Sequence, residues 1–423
     1  MIVSRRYPVV VHVHASLDPS AGDYTRVRRV RQVLLTLGAV TIVEVVVVKL
    51  SQIPHWRRWR TQYGPASHQR LFVPLVLPMV EIYAVRWVNH VVFTLAGCLL
   101  KALIRPDVIV CETLKPWAMA RSLRYADSAL VVDLHGAASE EVGAASGTWD
   151  PKKWTPERIR RYVCYIERME SQALMSAHAL VLASHALENH VRAKHALPAV
   201  QRRCVYASAV DTDRFIPNAD ARHEIRRHME VNDTDVVLVY SGSLYAWQCI
   251  QEMLDLYRRV VMSCDACVHL LVLTSGDGAV IERCMNQMDL SRQRVHIHAV
   301  AYEQMPYWLC SADIGIALRK DTVVNRVASP TKVGEYLACG LPVITTPVGI
   351  GWCDWSRHTD AVCFIELDHM DRSAHEVNLL IERYCAEPNR FQDAARACAL
   401  DQWSEPTAGG RLSDFFTQVL KRG

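Results

Sequence analysis

The chain has 423 residues, 50% of them hydrophobic and 22% charged, which suits a globular protein large enough for two α/β domains of ordinary size. A net charge of +4 is too mild to mark a nucleic-acid binder. The 14 cysteines follow no framework spacing and nothing at the N-terminus resembles a signal peptide, so reduced thiols in a cytoplasmic protein are expected.

Pro8 to His14, rich in β-branched valine, predicts a first strand. A turn with Asp18, Pro19, Ser20 and Gly22 follows, then a helix from about Asp23 to Leu37, then a second buried strand from Val40 to Leu50. This order begins a doubly wound sheet. No G-x-G-x-x-G follows the first strand and no G-x-x-x-x-G-K-[ST] occurs, which excludes the usual dinucleotide and P-loop fingerprints. Residues 1–70 carry eleven Lys and Arg against three acids, a bias suited to an anionic ligand or membrane face. Trp56, Arg57, Arg58, Trp59 and Arg60 sharpen it by interleaving aromatics with arginines. Leu71 to Ile104 is apolar but broken by Pro74 and Pro78 and dotted with charges, so no transmembrane helix is expected. It reads as a core helix from about Met79 to Leu103, or as a helix lying partly in a membrane interface.

Asp107 to Cys111 and Ala129 to Leu134 predict strands, with a helix from about Trp117 to Tyr125 between them. The second strand ends at Asp133-Leu134-His135-Gly136, with Glu140 and Glu141 close enough in sequence to orient an acceptor or the imidazole. Gly143 to Trp154 is loop-like, Pro156 to Ser176 is helical, and Ser184 caps a helix running to about Lys194. Strands at Leu180 to Ala183 and Cys204 to Tyr206 complete the first half. In the second half, strands are expected at Val236 to Tyr240, His269 to Thr274, Val295 to His298, Ile314 to Leu318 and Leu341 to Thr345. Helices are expected at Trp247 to Met262, Ser373 to Tyr384, Arg390 to Leu400 and at the end, to about Leu420.

Ser329-Pro330-Thr331-Lys332 starts a turn and a short helix that Gly340 and Pro342 terminate. Free backbone N–H groups and the Lys332 charge at that helix start suit a phosphate. Glu335 shares a face with Thr331 one turn on, and a carboxylate beside a phosphate site is suited to accept from ribose hydroxyls. Other constellations are weaker. Asp211-x-Asp213 and Asp233-x-Asp235 read as caps or turns. His12-x-His14 and His296-x-His298 put paired rings on one strand face, but no further zinc ligand is spaced to join them. The single C-x-x-C, Cys264 and Cys267, reads as structural.

With these residues in view the chain resembles the retaining GT-B glycosyltransferases of the family 4 type, most strongly over Ala312 to Thr346. It looks most like the bacterial surface-polysaccharide subset with the motif S/N-P-x-K-x-x-E-Y, here Ser329-Pro330-Thr331-Lys332 through Glu335-Tyr336. Val210 to Phe215 resembles the family's interdomain junction, and Tyr240-Ser241-Gly242-Ser243-Leu244 its first glycine-bearing loop of the C-terminal domain. The resemblance implies an α/β, GT-B fold: two Rossmann-like doubly wound parallel-sheet domains facing across a cleft. The acceptor side would be 1–207 and the nucleotide-sugar side 208–400. A C-terminal helix, 401–423, can pack back on the N-terminal domain.

Donor binding is implied for Gly242, Ser243, Gln248, Arg319, Ser329, Pro330, Thr331, Lys332 and Glu335. Gly22, His135 and Gly136 fall on the acceptor side, and His135, Glu335 and Lys332 are the catalytic candidates. No metal and no cofactor are implied beyond the nucleotide-sugar co-substrate. The chain departs from the family where Val327 replaces the first of two glutamates, and where Ser243 and Gln248 replace the loop's arginine and lysine. Lys332, with Arg319 or Arg326, is then expected to supply the positive charge. The expected reaction moves a sugar from a nucleotide-sugar to a glycan or lipid-linked acceptor, with retention, in polysaccharide or glycoconjugate synthesis. The expected setting is cytoplasmic, peripheral on the inner face of an anionic membrane. A GT-B epimerase of nucleotide-sugars and a non-catalytic scaffold subunit are the alternatives.

Overall fold

The computed structural model describes residues 7–14, 22–38, 40–49, 70–77, 86–148, 152, 154–199, 201–274, 276–350 and 353–421. The chain forms two compact units, Met1–Tyr206 with Gly409–Gly423, and Ala207–Ala408.

The first unit holds a seven-stranded sheet of β1 (Val9–His14), β2 (Thr41–Lys49), β3 (Arg70–Leu77), β4 (Val108–Glu112), β5 (Ala129–Leu134), β6 (Ala179–Leu182) and β7 (Arg202–Val205). Their order is β3-β2-β1-β4-β5-β6-β7, with every pairing parallel. Val- and Ile-rich runs buried on both faces are what such a sheet requires. β3 corrects the expectation for the apolar stretch after Arg70, which begins as a strand rather than as the approach to a helix. Pro74 is tolerated because β3 lies at the sheet edge, the place in a sheet that accepts proline. The helix of that stretch spans Arg86–Leu103. A second correction concerns the stretch read as a loop from Gly143. The helix Ala138–Ala145 and a short 3-10 turn, Ser146–Thr148, occupy its start. The helix Pro156–Ser176 opens as expected, with the Thr155 side chain accepting from the Arg158 N–H and proline in its first turn. Ser184 likewise accepts from the Leu187 N–H at 3.0 Å.

The second unit holds β8 (Val236–Ser241), β9 (Val268–Leu273), β10 (Val295–His298), β11 (Ile314–Ala317), β12 (Val343–Thr345) and β13 (Val362–Phe364). They are ordered β10-β9-β8-β11-β12-β13, again wholly parallel. One apolar layer packs the helix Thr331–Ala338, through Val333 and Leu337, with Phe215 and Trp403. The other packs the helices Ile250–Ser263 and Met370–Ala386 through Leu254, Tyr257, Val377 and Ile381. Each fully buried aliphatic or aromatic side chain here contributes about 1.5–3 kcal/mol. Strand β13 and the helices Ala219–His228, Ala279–Gln287, Met305–Leu309 and Val323–Val327 add to the expected elements.

Strand order reverses between β1 and β4 in one sheet and between β8 and β11 in the other. The crevice beyond the carboxyl ends of the strands at such a reversal is where doubly wound sheets bind ligands. Among the described residues, no helix is long and apolar enough to cross a membrane.

Candidate functional site

In the second unit, β8 ends at Ser241 and the chain turns through Gly242 with φ +129°. That backbone suits glycine, and a Cβ there would also meet Lys332 Nζ at 3.0 Å. Lys332 stands in the first turn of the helix Thr331–Ala338, which follows Pro330. Its Nζ donates to Gln248 Oε1 at 2.9 Å and sits 4.2 Å from the centroid of the Tyr240 ring. The Tyr240 hydroxyl donates to the Ser243 carbonyl, closing the loop beneath the lysine. Tyr336 braces the same loop from the helix, its hydroxyl oxygen accepting from the Ser241 N–H at 2.6 Å. Cys249, at φ 55°, is a left-handed residue between the turn Ala246–Gln248 and the helix Ile250–Ser263. Such backbone persists only where its surroundings hold it.

Arg319 follows β11 and is buried. Its Nη1 donates to Asn325 Oδ1 at 2.9 Å, and Asn325 in turn donates to the Lys320 and Trp247 carbonyls at 3.0 and 3.3 Å. Thr346 brackets the Arg319 backbone, accepting from its N–H at 3.0 Å and donating to its carbonyl at 2.7 Å. Burial, with the Arg319 guanidinium nearby, pushes the Lys332 ammonium well below its usual range, and the Glu335 carboxylate only partly opposes this. Glu335 is buried and accepts from the Tyr302 hydroxyl at 3.1 Å. Ser329 is held by Ser208, whose N–H donates to its Oγ at 2.8 Å and whose hydroxyl donates to its carbonyl at 2.7 Å.

Gly242, Ser243, Gln248, Arg319 and Lys332 are thus brought together, and Glu335 lies along the helix from Lys332. Arg326 is not part of the cluster. Its guanidinium is engaged by Asp321 on the surface. Tyr302 and Asn325, which help hold the charged groups in place, carry no motif that marks them in the sequence.

In the first unit, His135 follows β5 and its Nε2 lies 2.9 Å from Glu112 Oε2. The other oxygen of Glu112 lies 2.8 Å from His12 Nε2. Glu112 is the last residue of β4, beside β1 at the strand reversal. Burial alone would raise its pKa, but hydrogen bonds from His12 and His135 overcome that and hold the carboxyl well below its usual range. The next residue, Thr113, has φ 62°, an uncommon conformation for a β-branched side chain. Asp133 lies 3.7 Å from the same imidazole nitrogen and is bound by Arg26, whose Nη2 reaches Oδ1 at 2.7 Å. A carboxylate does hold His135, but it is Glu112 from a neighbouring strand. Glu140, expected in that role, instead meets Lys194 at 2.9 Å and His190 at 3.0 Å. Glu141 stands over Gly136, where a Cβ would collide with its Oε1 at 2.0 Å. Gly22 opens the helix Gly22–Thr36. Trp56 to Arg60 lie outside the described residues.

Residues 235–383 match a family model described as Glycosyl transferases group 1. Among solved structures, a glycosyltransferase from Rickettsia africae ESF-5 aligns with TM-score 0.69 at 12% identity, over 99% of this chain and 100% of that one. The fold is GT-B. Sucrose-phosphate synthase from Thermosynechococcus elongatus aligns equally well, with TM-score 0.69 at 14% identity over 98% of this chain and 100% of that one. The Anabaena protein HepE, in complex with UDP-glucose, aligns with TM-score 0.66 at 12% identity, over 97% of this chain and 99% of that one. No curated protein matches. The matched stretch, 235–383, contains the loop after β8, Arg319 and the helix Thr331–Ala338.

Proposed function

We propose that the protein transfers a glycosyl group from a nucleotide-sugar to a hydroxyl of a glycan or lipid-linked acceptor, with retention, in polysaccharide or glycoconjugate synthesis. One observation carries this reading. Lys332 and Arg319 are two neighbouring cations whose hydrogen-bond partners are the neutral amides of Gln248 and Asn325. Each makes the other costlier to keep charged, and a diphosphate relieves both at once. The group leaving a nucleotide-sugar is such a diphosphate, and its charge grows as the glycosidic bond breaks. Cations fixed beforehand favour that state over the bound donor. Glu335 would accept from the ribose hydroxyls, Thr331 and the loop N–H groups would hold phosphate oxygens, and Ser329 with Pro330 would set the turn. UDP-glucose is the first donor to test, since HepE, of the same fold, binds it.

His135 would serve the acceptor. With its Nε2 2.9 Å from the Glu112 carboxylate, the imidazole would take the proton of the acceptor hydroxyl, and the carboxylate would stabilise the imidazolium that results. A lipid-linked acceptor places the protein on the inner face of an anionic membrane. The basic and aromatic run Trp56 to Arg60 supports this, as do Leu95, Leu99 and Leu103, exposed at four-residue spacing along the helix Arg86–Leu103.

The test is turnover of a nucleotide-sugar panel with and without lipid-linked acceptors, with product anomers read by NMR. Acceptor-dependent release of the nucleotide diphosphate with a retained anomer is expected. A rearranged nucleotide-sugar formed without acceptor would replace this reading with an epimerase. Donor binding without turnover on any acceptor would point to a scaffold subunit.

A further inference from the structure

The second unit carries a cluster of metal-ligating side chains at the opposite ends of its strands from the phosphate-binding loops. Asp235 immediately precedes β8, Cys267 immediately precedes β9, and His269 is the second residue of β9. Val236 pairs with Val268, so the amino ends of the two strands lie side by side. His269 Nε2 lies 3.4 Å from Asp235 Oδ2 and 3.5 Å from Cys267 Sγ, and one ligand atom from each residue lies within 4.8 Å of the other two. The 3.4 Å contact is longer than a good N–H···O bond, at about 2.7–3.2 Å, so the carboxylate and imidazole hold each other only weakly. The spacings fit a different partner. Tetrahedral zinc with bonds of about 2.0–2.3 Å to O, N and S has ligand-to-ligand edges of about 3.3–3.6 Å.

The surroundings complete the pattern. Metal on His269 Nε2 requires the proton on Nδ1, and His269 Nδ1 lies 3.1 Å from His296 Nε2 on the adjacent strand β10. The two rings stack with centroids 5.3 Å apart, which fixes the orientation of the ligating imidazole. Asp235 Oδ2 accepts from both the N–H and the side-chain amide of Asn232 at 3.0 Å, which fixes the carboxylate. One thiolate and one carboxylate balance a dication, and the soft sulfur with imidazole selects zinc over magnesium or calcium. Asp235 and His269 are buried while Cys267 is partly exposed, which gives a metal a route in and leaves a fourth position for water.

We infer that Asp235, Cys267 and His269 form a zinc site, with His296 as the positioning residue behind His269. The site would clasp the amino ends of β8, β9 and β10. Strand β8 has six residues, which places the site roughly 20 Å from Gly242 at about 3.3 Å per residue. Its role is therefore stability of the second unit rather than chemistry on the donor.

The full-length protein, equilibrated with zinc and then desalted, should retain about one zinc per chain by mass spectrometry, as a three-ligand site plus water allows. Cys267→Ser and Asp235→Asn should lose it, while Cys164→Ser, an exposed thiol of the first unit, should keep it. Cobalt in place of zinc should give a thiolate charge-transfer band that Cys267→Ser lacks. A strong chelator should lower the Tm of the parent protein but not of Cys267→Ser. His296→Gln keeps all three ligands and should weaken zinc about 10- to 100-fold, a readout available even if the ligand variants fail to fold. Parent protein that retains no zinc, a cobalt spectrum without a thiolate band, or zinc affinity unmoved by His296→Gln would each overturn the inference.

Discussion

Replacing Lys332 by methionine keeps most of the length and volume of the side chain and removes its charge. The ammonium sits 2.9 Å from Gln248 Oε1 and 4.2 Å from the centroid of the Tyr240 ring. A hydrogen bond from a charged donor to phosphate is worth about 1.5–3 kcal/mol, so Lys332→Met should weaken UDP or UDP-glucose binding about 10- to 150-fold. Gln248→Ala removes a neutral partner and should cost no more than about 0.5–1.5 kcal/mol. The pH dependence carries a sign. In the free protein burial lowers the Lys332 pKa, so between its folded and unfolded values the unfolded chain holds the extra proton. Stability therefore rises with pH through that window, and at lower pH the fold bears the cost of a desolvated charge. Lys332→Met should accordingly leave the ligand-free Tm unchanged or raised. A bound diphosphate raises the lysine pKa again, so binding takes up a proton and affinity falls as pH increases through the window between the free and bound values. Calorimetry in buffers of different ionisation enthalpy reads this uptake directly, and it should vanish in Lys332→Met. Equal losses for Lys332→Met and Gln248→Ala, or proton uptake unchanged in the methionine variant, would refute the charge-compensation reasoning.

Glu335→Ala should lower nucleotide affinity by about 1.5–3 kcal/mol, with Tyr302→Phe costing less, because only the carboxylate would meet the ribose; donor affinity unmoved by Glu335→Ala removes that role. His135→Ala should reduce kcat while the KM for the nucleotide-sugar changes little. A fall in Tm with normal activity in the folded fraction would make it a packing residue. Glu112→Gln should lower kcat through the same imidazole, and it should also cost stability, since His12 loses the charged acceptor it now shares. Flotation with anionic vesicles should be salt-sensitive and reduced by the combined Arg57→Ala, Arg58→Ala and Arg60→Ala variant. Each basic residue contributes about 1 kcal/mol near such a surface. Protein that stays with the soluble fraction at low salt would remove the membrane contact.

The alternating strands and helices were legible because parallel strands buried on both faces read as near-continuous apolar runs, as Val236–Tyr240 does and as Val9–Val13 does but for His12. Helical pattern located the helix Pro156–Ser176, and capping chemistry the one after Ser184. The strand Arg70–Leu77 was hidden because a proline at a sheet edge and a proline that breaks a helix look the same until the edge is known. The end of the helix Ala138–Ala145 reads as loop from Gly143 because the small residues there carry little period. Polar partners brought by neighbouring strands were the least legible. Glu112 lies 23 residues before His135, and only the β4–β5 pairing, Glu112 against Asp133, brings it to the imidazole. The cluster of Asp235, Cys267 and His269 escaped for the same reason, since its members come from two strands and follow no single spacing.

The departure at Val327 becomes intelligible in the same terms. In the enzymes the chain resembles, a glutamate stands there, eight positions before the one that matches Glu335. Here Val327 is buried at the end of the helix Val323–Val327. Thr322 caps that helix by accepting from the Asn325 N–H at 3.3 Å, and Asn325, fully buried, supplies the oxygen that fixes Arg319. The segment has therefore not lost its connection to the site. It packs through Val327 and supplies, at Asn325, an amide that orients a guanidinium. An added carboxylate would neutralise part of the charge on Arg319 and Lys332, whereas an amide orients the same cation and leaves its charge for the ligand. On this reasoning Asn325→Asp should weaken diphosphate binding by placing a competing anion against Arg319, and Asn325→Ala should weaken it by letting the guanidinium move. The two can be separated by salt. Screening should recover part of the loss in the aspartate variant and none in the alanine variant. Equal salt responses would mean that Asn325 serves only to pack the helix.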